Sequence, residues 1–131
     1  MKPSTLTAPA ANAQIECPEW LLGNGRFLLV ELPGGHALLS ALERGAAELV
    51  VTRFDMIGPS MLRQIGPAAV IAPLIGGGWD ITDLALRLQA ARFRGRLLAV
   101  SVPLPRGALV LRELRNSFPE LDIGLMEMPD S

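Results

Sequence analysis

The chain has 131 residues, half of them hydrophobic, and a formal net charge of −1 at pH 7. This composition is typical of one globular domain with a buried core, excludes a disordered chain, and gives no electrostatic reason to expect nucleic acid as a partner. One cysteine and one histidine exclude an internal disulfide and a zinc site of Cys/His type. No apolar run approaches the roughly 20 residues that span a bilayer. The sequence therefore predicts no membrane segment and a cytoplasmic location, where a single thiol stays reduced.

Residues 1–25 are predicted to form an N-terminal arm, partly flexible. The first dozen residues are small or polar and rich in Pro, Ala and Thr, which is typical of a flexible segment. Pro18 to Leu22 follows and is closed by Gly23. Proline at the start and glycine at the end indicate a single helical turn. The remaining residues, 26–131, are predicted to form one α/β domain.

Five apolar runs in this domain are predicted strands. They are apolar throughout and do not alternate with polar residues, which is typical of strands buried on both faces of a parallel sheet. The predicted strands are Phe27 to Leu32, Glu48 to Thr52, Ala68 to Leu74, Leu97 to Val102 and Ile123 to Met128.

Stretches with helical period separate the strands. The first is His36 to Arg44 and the second is Pro59 to Ile65. The third is capped by Asp80 and ended by Gly95, and the fourth runs from about Arg106 to Ser117. This alternation, with right-handed crossovers, predicts a three-layer, doubly wound, five-stranded parallel sheet in the order 2-1-3-4-5 that lacks a C-terminal fifth helix.

Four stretches carry a family resemblance. They are Leu28 to Pro33, Pro67 to Asp80, Leu97 to Ser101 and Gly124 to Pro129. Together they resemble the first, third, fourth and fifth strands, with their following loops, of a response-regulator receiver domain, the phosphoryl-accepting half of two-component signalling. The resemblance covers nearly the whole chain from Phe27 onward and implies a flavodoxin-like fold.

The departures from the receiver pattern imply a degenerate pocket. In receivers, two acidic residues after the first strand and an aspartate at the third hold Mg²⁺, and that aspartate accepts the phosphoryl group. Glu31 keeps the first acidic position here, but Leu32 replaces the second and Pro73 the acceptor. Met128 replaces the lysine that neutralises phosphate, whereas Ser101 fits the switch hydroxyl. The resemblance therefore implies a pseudo-receiver that takes up neither metal nor phosphate.

Each surviving polar feature also has a simpler interpretation. Glu31 is either a remnant of the acidic pocket or a solvated carboxylate at a strand end. Ser101 either senses a ligand or bonds to nearby backbone. Gly76, Gly77 and Gly78 either bind an anion before the third helix or form a tight turn.

His36 and Cys17 have no catalytic partners in the sequence. His36 lies on the same rim as Glu31, but no Ser or Cys nucleophile lies nearby, so we interpret it as a histidine at the edge of the core. We interpret Cys17 as an incidental thiol. The chain is accordingly predicted to be no enzyme and to use no cofactor or metal.

The missing fifth helix leaves one apolar sheet face to be covered. Two covers are physically reasonable: the segment with Ile15, Trp20, Leu21 and Leu22 folds back over it, or a second subunit does. On the third helix, Leu86 and Phe93 lie off the main apolar stripe and belong either to the edge of a broad core or to an interface.

We therefore expect a phosphorylation-incompetent, receiver-like regulatory domain that acts through protein–protein interaction in bacterial signalling, as a homodimer or with an unidentified protein partner. The alternative is a small-ligand or nucleotide sensor that uses the crevice at the carboxyl ends of the strands. An open crevice with converging donors favours the sensor. A crevice filled by Trp79, Pro73 and Met128 favours the interaction domain.

Overall fold

The computed structural model describes residues 17–32 and 36–128. The strands are β1 (Arg26–Val30), β2 (Glu48–Thr52), β3 (Ala69–Pro73), β4 (Arg96–Ser101) and β5 (Asp122–Glu127). The α-helices are α1 (Ala37–Glu43), α2 (Pro59–Ile65), α3 (Ile81–Ala90) and α4 (Gly107–Ser117). Short 3-10 helices occur at Glu19–Leu22 and Phe54–Met56.

All five strands are parallel and lie in the order β2-β1-β3-β4-β5. The predicted 2-1-3-4-5 sheet of a three-layer, flavodoxin-like α/β fold is thus confirmed. Strand order reverses at β1, which lies between β2 and β3, so the crevice at the carboxyl ends of β1 and β3 is where such folds bind ligands.

Helices cover the two faces of the sheet unequally. Along β1, Phe27 and Leu29 point to one face, and Leu28 and Val30 to the other. Leu28 and Val30 lie on what we call the three-helix face, where α2, α3 and α4 supply the buried side chains. On the single-helix face, the cover among the described residues comes from α1 and the 3-10 helix Glu19–Leu22. No helix follows β5 in the part of the chain that the structure describes, which ends at Met128.

The helix ends match their sequence signals. Pro59 begins α2, and Gly66 ends it in the left-handed conformation at φ 59°. Asp80 accepts a hydrogen bond from the Asp83 backbone while the Asp83 carboxylate accepts one from Asp80, which makes a capping box at the start of α3. These local signals explain why the predicted bounds of α2 and the predicted start of α3 lie close to the observed ones. The end of α3 was expected at Gly95, but the helix ends at Ala90, and Arg92 then takes a left-handed backbone at φ 63°.

The first strand is shorter than predicted. It was expected to reach Leu32, but it ends at Val30 because Glu31 has a left-handed backbone at φ 56°. A left-handed residue does not continue the extended backbone of a strand, so the alternation of side chains between the two faces of the sheet stops there. Leu32 nevertheless lies buried on the single-helix face rather than at a polar rim.

Candidate functional site

Four of the five residues of the predicted degenerate pocket lie along the carboxyl edge of the sheet, and Leu32 is the one that does not. Pro73 ends β3 and faces Val100 of β4. Ser101 ends β4, and the Met128 backbone N–H donates to its carbonyl at 2.8 Å. Glu31 follows β1 and donates its own N–H to the Thr52 carbonyl at 3.0 Å. The sheet topology therefore places residues that are far apart in sequence along one rim.

Glu31 holds two other segments at this rim. One carboxylate oxygen accepts the Phe54 backbone N–H at 2.8 Å, and the other accepts the Trp79 indole N–H at 3.0 Å. Its positive φ aims the side chain across the end of the sheet. Each Glu31 oxygen thus has a hydrogen-bond donor of its own, and the carboxylate positions an aromatic pair, a role that neither interpretation of this residue anticipates.

Trp79 lies at the carboxyl edge of the sheet, in contact with the segments that follow β1 and β2. It is 8% exposed and stacks on Phe54, with ring centroids 4.9 Å apart and an interplanar angle of 8°. The Arg87 guanidinium lies over the Phe54 ring, 4.6 Å from its centroid, and donates to the Ile57 carbonyl at 3.1 Å. A buried indole ring therefore occupies space beside the strand-order reversal.

Gly76 leaves room for that ring. A Cβ on Gly76 would collide with the Trp79 indole, and the Gly76 backbone N–H donates to the Trp79 carbonyl at 2.8 Å. Gly78 has φ 91°, a conformation that favours glycine. These contacts form a tight turn around Trp79, the simpler of the two interpretations. Anion binding by Gly76, Gly77 and Gly78 stays a prediction.

The remaining polar residues make local contacts. The Ser101 hydroxyl donates to the Val102 carbonyl at 2.6 Å, which matches its simpler interpretation as a backbone-bonded hydroxyl. His36 caps α1, where Nδ1 accepts the Leu38 N–H at 3.0 Å. Cys17 is exposed. No group of three or more His, Cys, Asp or Glu residues suited to a metal ion occurs within residues 17–32 and 36–128.

The single-helix face has a partial cover. Leu21 is 1% exposed and packs against this face, and Trp20 packs beside it with its ring edge on Phe27. Leu22 was expected to dock there as well, but it is 59% exposed, because the 3-10 helix turns only one of the two leucines inward. Ile15 lies outside the described residues.

A groove of about 780 Å³ remains on this face between α1, β5 and the start of α4. Its apolar lining includes Leu38 and Met126. The carboxylate of Glu127 packs against Gly107 and accepts the Leu104 N–H at 3.2 Å. The arm therefore leaves part of the single-helix face open.

Of the two residues predicted on the third helix, Leu86 lies on α3, but Phe93 lies beyond its end at Ala90. Leu86 is 52% exposed, as an interface residue would be. Phe93 is half-buried, packs against the core of the three-helix face, and lies over Gly95, where a Cβ would collide with its ring. Of the two interpretations left open, the edge of a broad core fits Phe93.

Sequence reasoning named Glu31 and Trp79 but missed Phe54 and Arg87. Phe54 lies 23 residues from Glu31 along the chain, and Trp79 lies 48 residues from it. The available signal was a general property of parallel sheets: the segments after β1, β2 and β3 all begin at the same edge of the sheet.

Comparison with protein-family models, curated proteins and solved structures finds no match to this chain. No helix within the described ranges is long and apolar enough to cross a bilayer.

Hydrogen bonds lower the pKa of the Glu31 carboxyl below its ordinary value of 4.5. The larger effect comes from the Phe54 N–H and the next from the Trp79 indole. Partial burial opposes them, and the charge of Arg53 adds a smaller lowering. Because the folded state favours the charged form, its stabilisation is complete above the unfolded pKa and is lost as the pH falls through the folded value.

Replacing Glu31 with glutamine tests this linkage. At pH 7 we expect Glu31→Gln to lower the free energy of unfolding by about 1–3 kcal/mol, because an amide cannot accept both N–H groups as a carboxylate does. The deficit should shrink as the pH falls below 4.5, where wild-type Glu31 also becomes neutral. Urea denaturation at several pH values measures it. Glu113→Gln, at an exposed site on α4, is the control. A deficit that did not vary with pH would contradict the assignment.

Proposed function

We propose that this chain is a phosphorylation-incompetent, receiver-like regulatory domain that acts through protein–protein interaction in bacterial signalling. It performs no catalysis of its own and needs no cofactor. Its partner is either a second copy, in a homodimer, or another protein.

The observation that carries this proposal is the buried indole at the rim. Trp79 takes up space beside the strand-order reversal, where open α/β sheets bind ligands, and is fixed by Glu31 on one side and by the Phe54 ring on another. A domain that binds or transfers a group at this site would need it open. A domain that presents its outer surface to a partner loses nothing by closing it.

The residue types at the rim support the same proposal. Pro73 offers no nucleophile at the end of β3, and Leu32 is buried in the apolar core. Met128 packs beside that core and offers no charge to a phosphate. One carboxylate, already bonded to two N–H groups, is a poor substitute for the oxygen-rich shell that Mg²⁺ demands.

Phosphoryl transfer is the direct test. We expect no Mg²⁺-dependent labelling when the protein is incubated with acetyl phosphate or with a phosphorylated histidine kinase, because Pro73 has no group to accept phosphate. Intact-mass spectrometry measures the result, and a phosphorylatable receiver domain treated in parallel is the positive control. An acid-labile, hydroxylamine-sensitive phosphate on this chain would overturn the proposal.

The alternative is a small-ligand or nucleotide sensor that uses the crevice. It has less support, because a ligand there would first have to displace Trp79. A Trp20→Phe variant leaves Trp79 as the one tryptophan of the chain, so nucleotides can be titrated against its fluorescence. Saturable quenching at micromolar nucleotide would favour the sensor.

A further inference from the structure

The two edges of the sheet differ in protection. On β5, the Asp122 N–H donates to the Gly95 carbonyl and the Met128 N–H to the Ser101 carbonyl, so Ile123 points its backbone groups away from β4. Arg115 of α4 donates its Nε–H to that outward Ile123 carbonyl at 2.8 Å. A charged side chain thus covers part of the β5 edge, as is common for edges that must not pair.

The β2 edge has no such cover. The Glu48 N–H donates to the Gly25 carbonyl, and the Thr52 carbonyl accepts from Glu31, so these residues point their backbone groups toward β1. By the two-residue period of a strand, Leu49 and Val51 point theirs outward. Among the described residues, no hydrogen bond outside the sheet ladder involves either backbone. Val51 is also 66% exposed, which is unusual for valine.

Charges at the ends of β2 do not repel a second copy. Glu48 pairs with Arg26 at 3.1 Å, and Arg53 pairs with Asp55 at 3.3 Å. Each of these charges therefore has an opposite charge beside it. The strand itself contains neither lysine nor proline, the residues that commonly prevent edge pairing.

The outward groups of β2 are self-complementary. In an antiparallel pair of two copies with the two-fold axis at Val50, Leu49 of one copy faces Val51 of the other. When two residues face each other in an antiparallel pair and both point their backbone N–H and C=O toward the partner strand, each N–H donates to the other residue's C=O. Each outward N–H and C=O of Leu49 and Val51 then finds a partner, and the exposed Val51 side chains gain cross-strand contacts.

We propose that β2 is a homodimerisation edge, where a second copy adds its own β2 antiparallel and forms one continuous ten-stranded sheet. This inference rests on the dimer in the proposed function and names its surface. The occupant is a second copy because β2 complements its own two-fold image. This holds for its outward backbone groups, for its apolar side chains and for the ion pairs at its two ends.

Two substitutions of Val51 test the edge without touching the rim. Val51→Lys places a charge on it. Val51→Pro removes the outward N–H but none of the bonds to β1, and edge strands tolerate such a proline. In sedimentation-equilibrium runs over a concentration series, we expect a wild-type dimer and at least about tenfold weaker dimerisation for each variant, corresponding to about 1.4 kcal/mol. Val102→Lys, the same change at an exposed site after β4, is the control and should dimerise like wild type.

The outcomes separate the surface from the dimer. A wild-type monomer at every concentration overturns both this inference and the proposed homodimer. A dimer that persists unchanged in both Val51 variants overturns the edge and leaves the dimer in place. Hydrogen exchange of the full chain adds a local readout: protection of the Leu49 and Val51 amides should rise with protein concentration. Protection independent of concentration would assign the edge to a segment of the same chain and overturn the inference. Neither the sedimentation result nor the hydrogen-exchange result depends on whether the chain accepts a phosphoryl group.

Discussion

Trp79→Ala is expected to lower the free energy of unfolding by about 3–5 kcal/mol, among the larger losses for a single substitution. The change removes a buried indole, its stack on Phe54 and the hydrogen bond to Glu31. It also leaves the Glu31 carboxylate with one fewer partner. Urea denaturation followed by far-ultraviolet circular dichroism measures the loss.

Trp20→Ala is the matched control for Trp79→Ala. Trp20 is half-buried, with its ring edge on Phe27 and Arg96 over its face. Trp20→Ala should therefore lower the free energy of unfolding clearly less than Trp79→Ala does. A loss below about 1 kcal/mol for Trp79→Ala would mean that the indole is not packed in the crevice, and the main support for the proposed function would fail.

Leu21→Ala is expected to lower the free energy of unfolding by about 2–5 kcal/mol. Leu21 is 1% exposed and packs on the single-helix face with α1. Its loss would open a cavity where the neighbouring groove already gives water access to that face. The shift in the urea midpoint at constant slope measures the change.

The adjacent leucine provides the control for this prediction. Leu22 is 59% exposed in the same 3-10 helix, so Leu22→Ala should change stability by no more than about 0.5 kcal/mol. Equal losses at the two positions would show that Leu22 packs on this face as well, whereas no loss at Leu21 would show that the arm is not the cover of the face. A second subunit would then be the remaining candidate for the cover.

The fold was predictable because local signals agree with the global pattern. Continuous apolar runs marked the strands, and Pro59, Gly66 and Asp80 marked helix ends within a residue or two of their observed positions. The exceptions include the end of α3, which lies at Ala90 rather than at Gly95, and the end of β1. Leu32 is apolar and buried, so the sequence pattern continues beyond Glu31, where the backbone turns left-handed.

The site was predictable as a location but not as a set of contacts. The carboxyl edge follows from the topology, so Glu31, Pro73 and Trp79 were assigned to it from sequence. The stack on Phe54 could not be derived, because it depends on how the loop after β2 folds across the rim. Likewise, the sequence cannot tell which of Leu21 and Leu22 faces the sheet, since both are apolar and adjacent.

The hydrogen bond from Arg115 to the outward Ile123 carbonyl would limit how a sheet of this kind can grow. With two bare edges, β2 of one copy could join β5 of the next, and that head-to-tail contact has no reason to stop. A side chain over part of the β5 edge would disfavour that contact, whereas pairing of two β2 edges leaves neither copy with a free β2 edge. The guanidinium on β5 would therefore keep association finite and soluble rather than fibrous, a role that has no counterpart in the chemistry of the crevice.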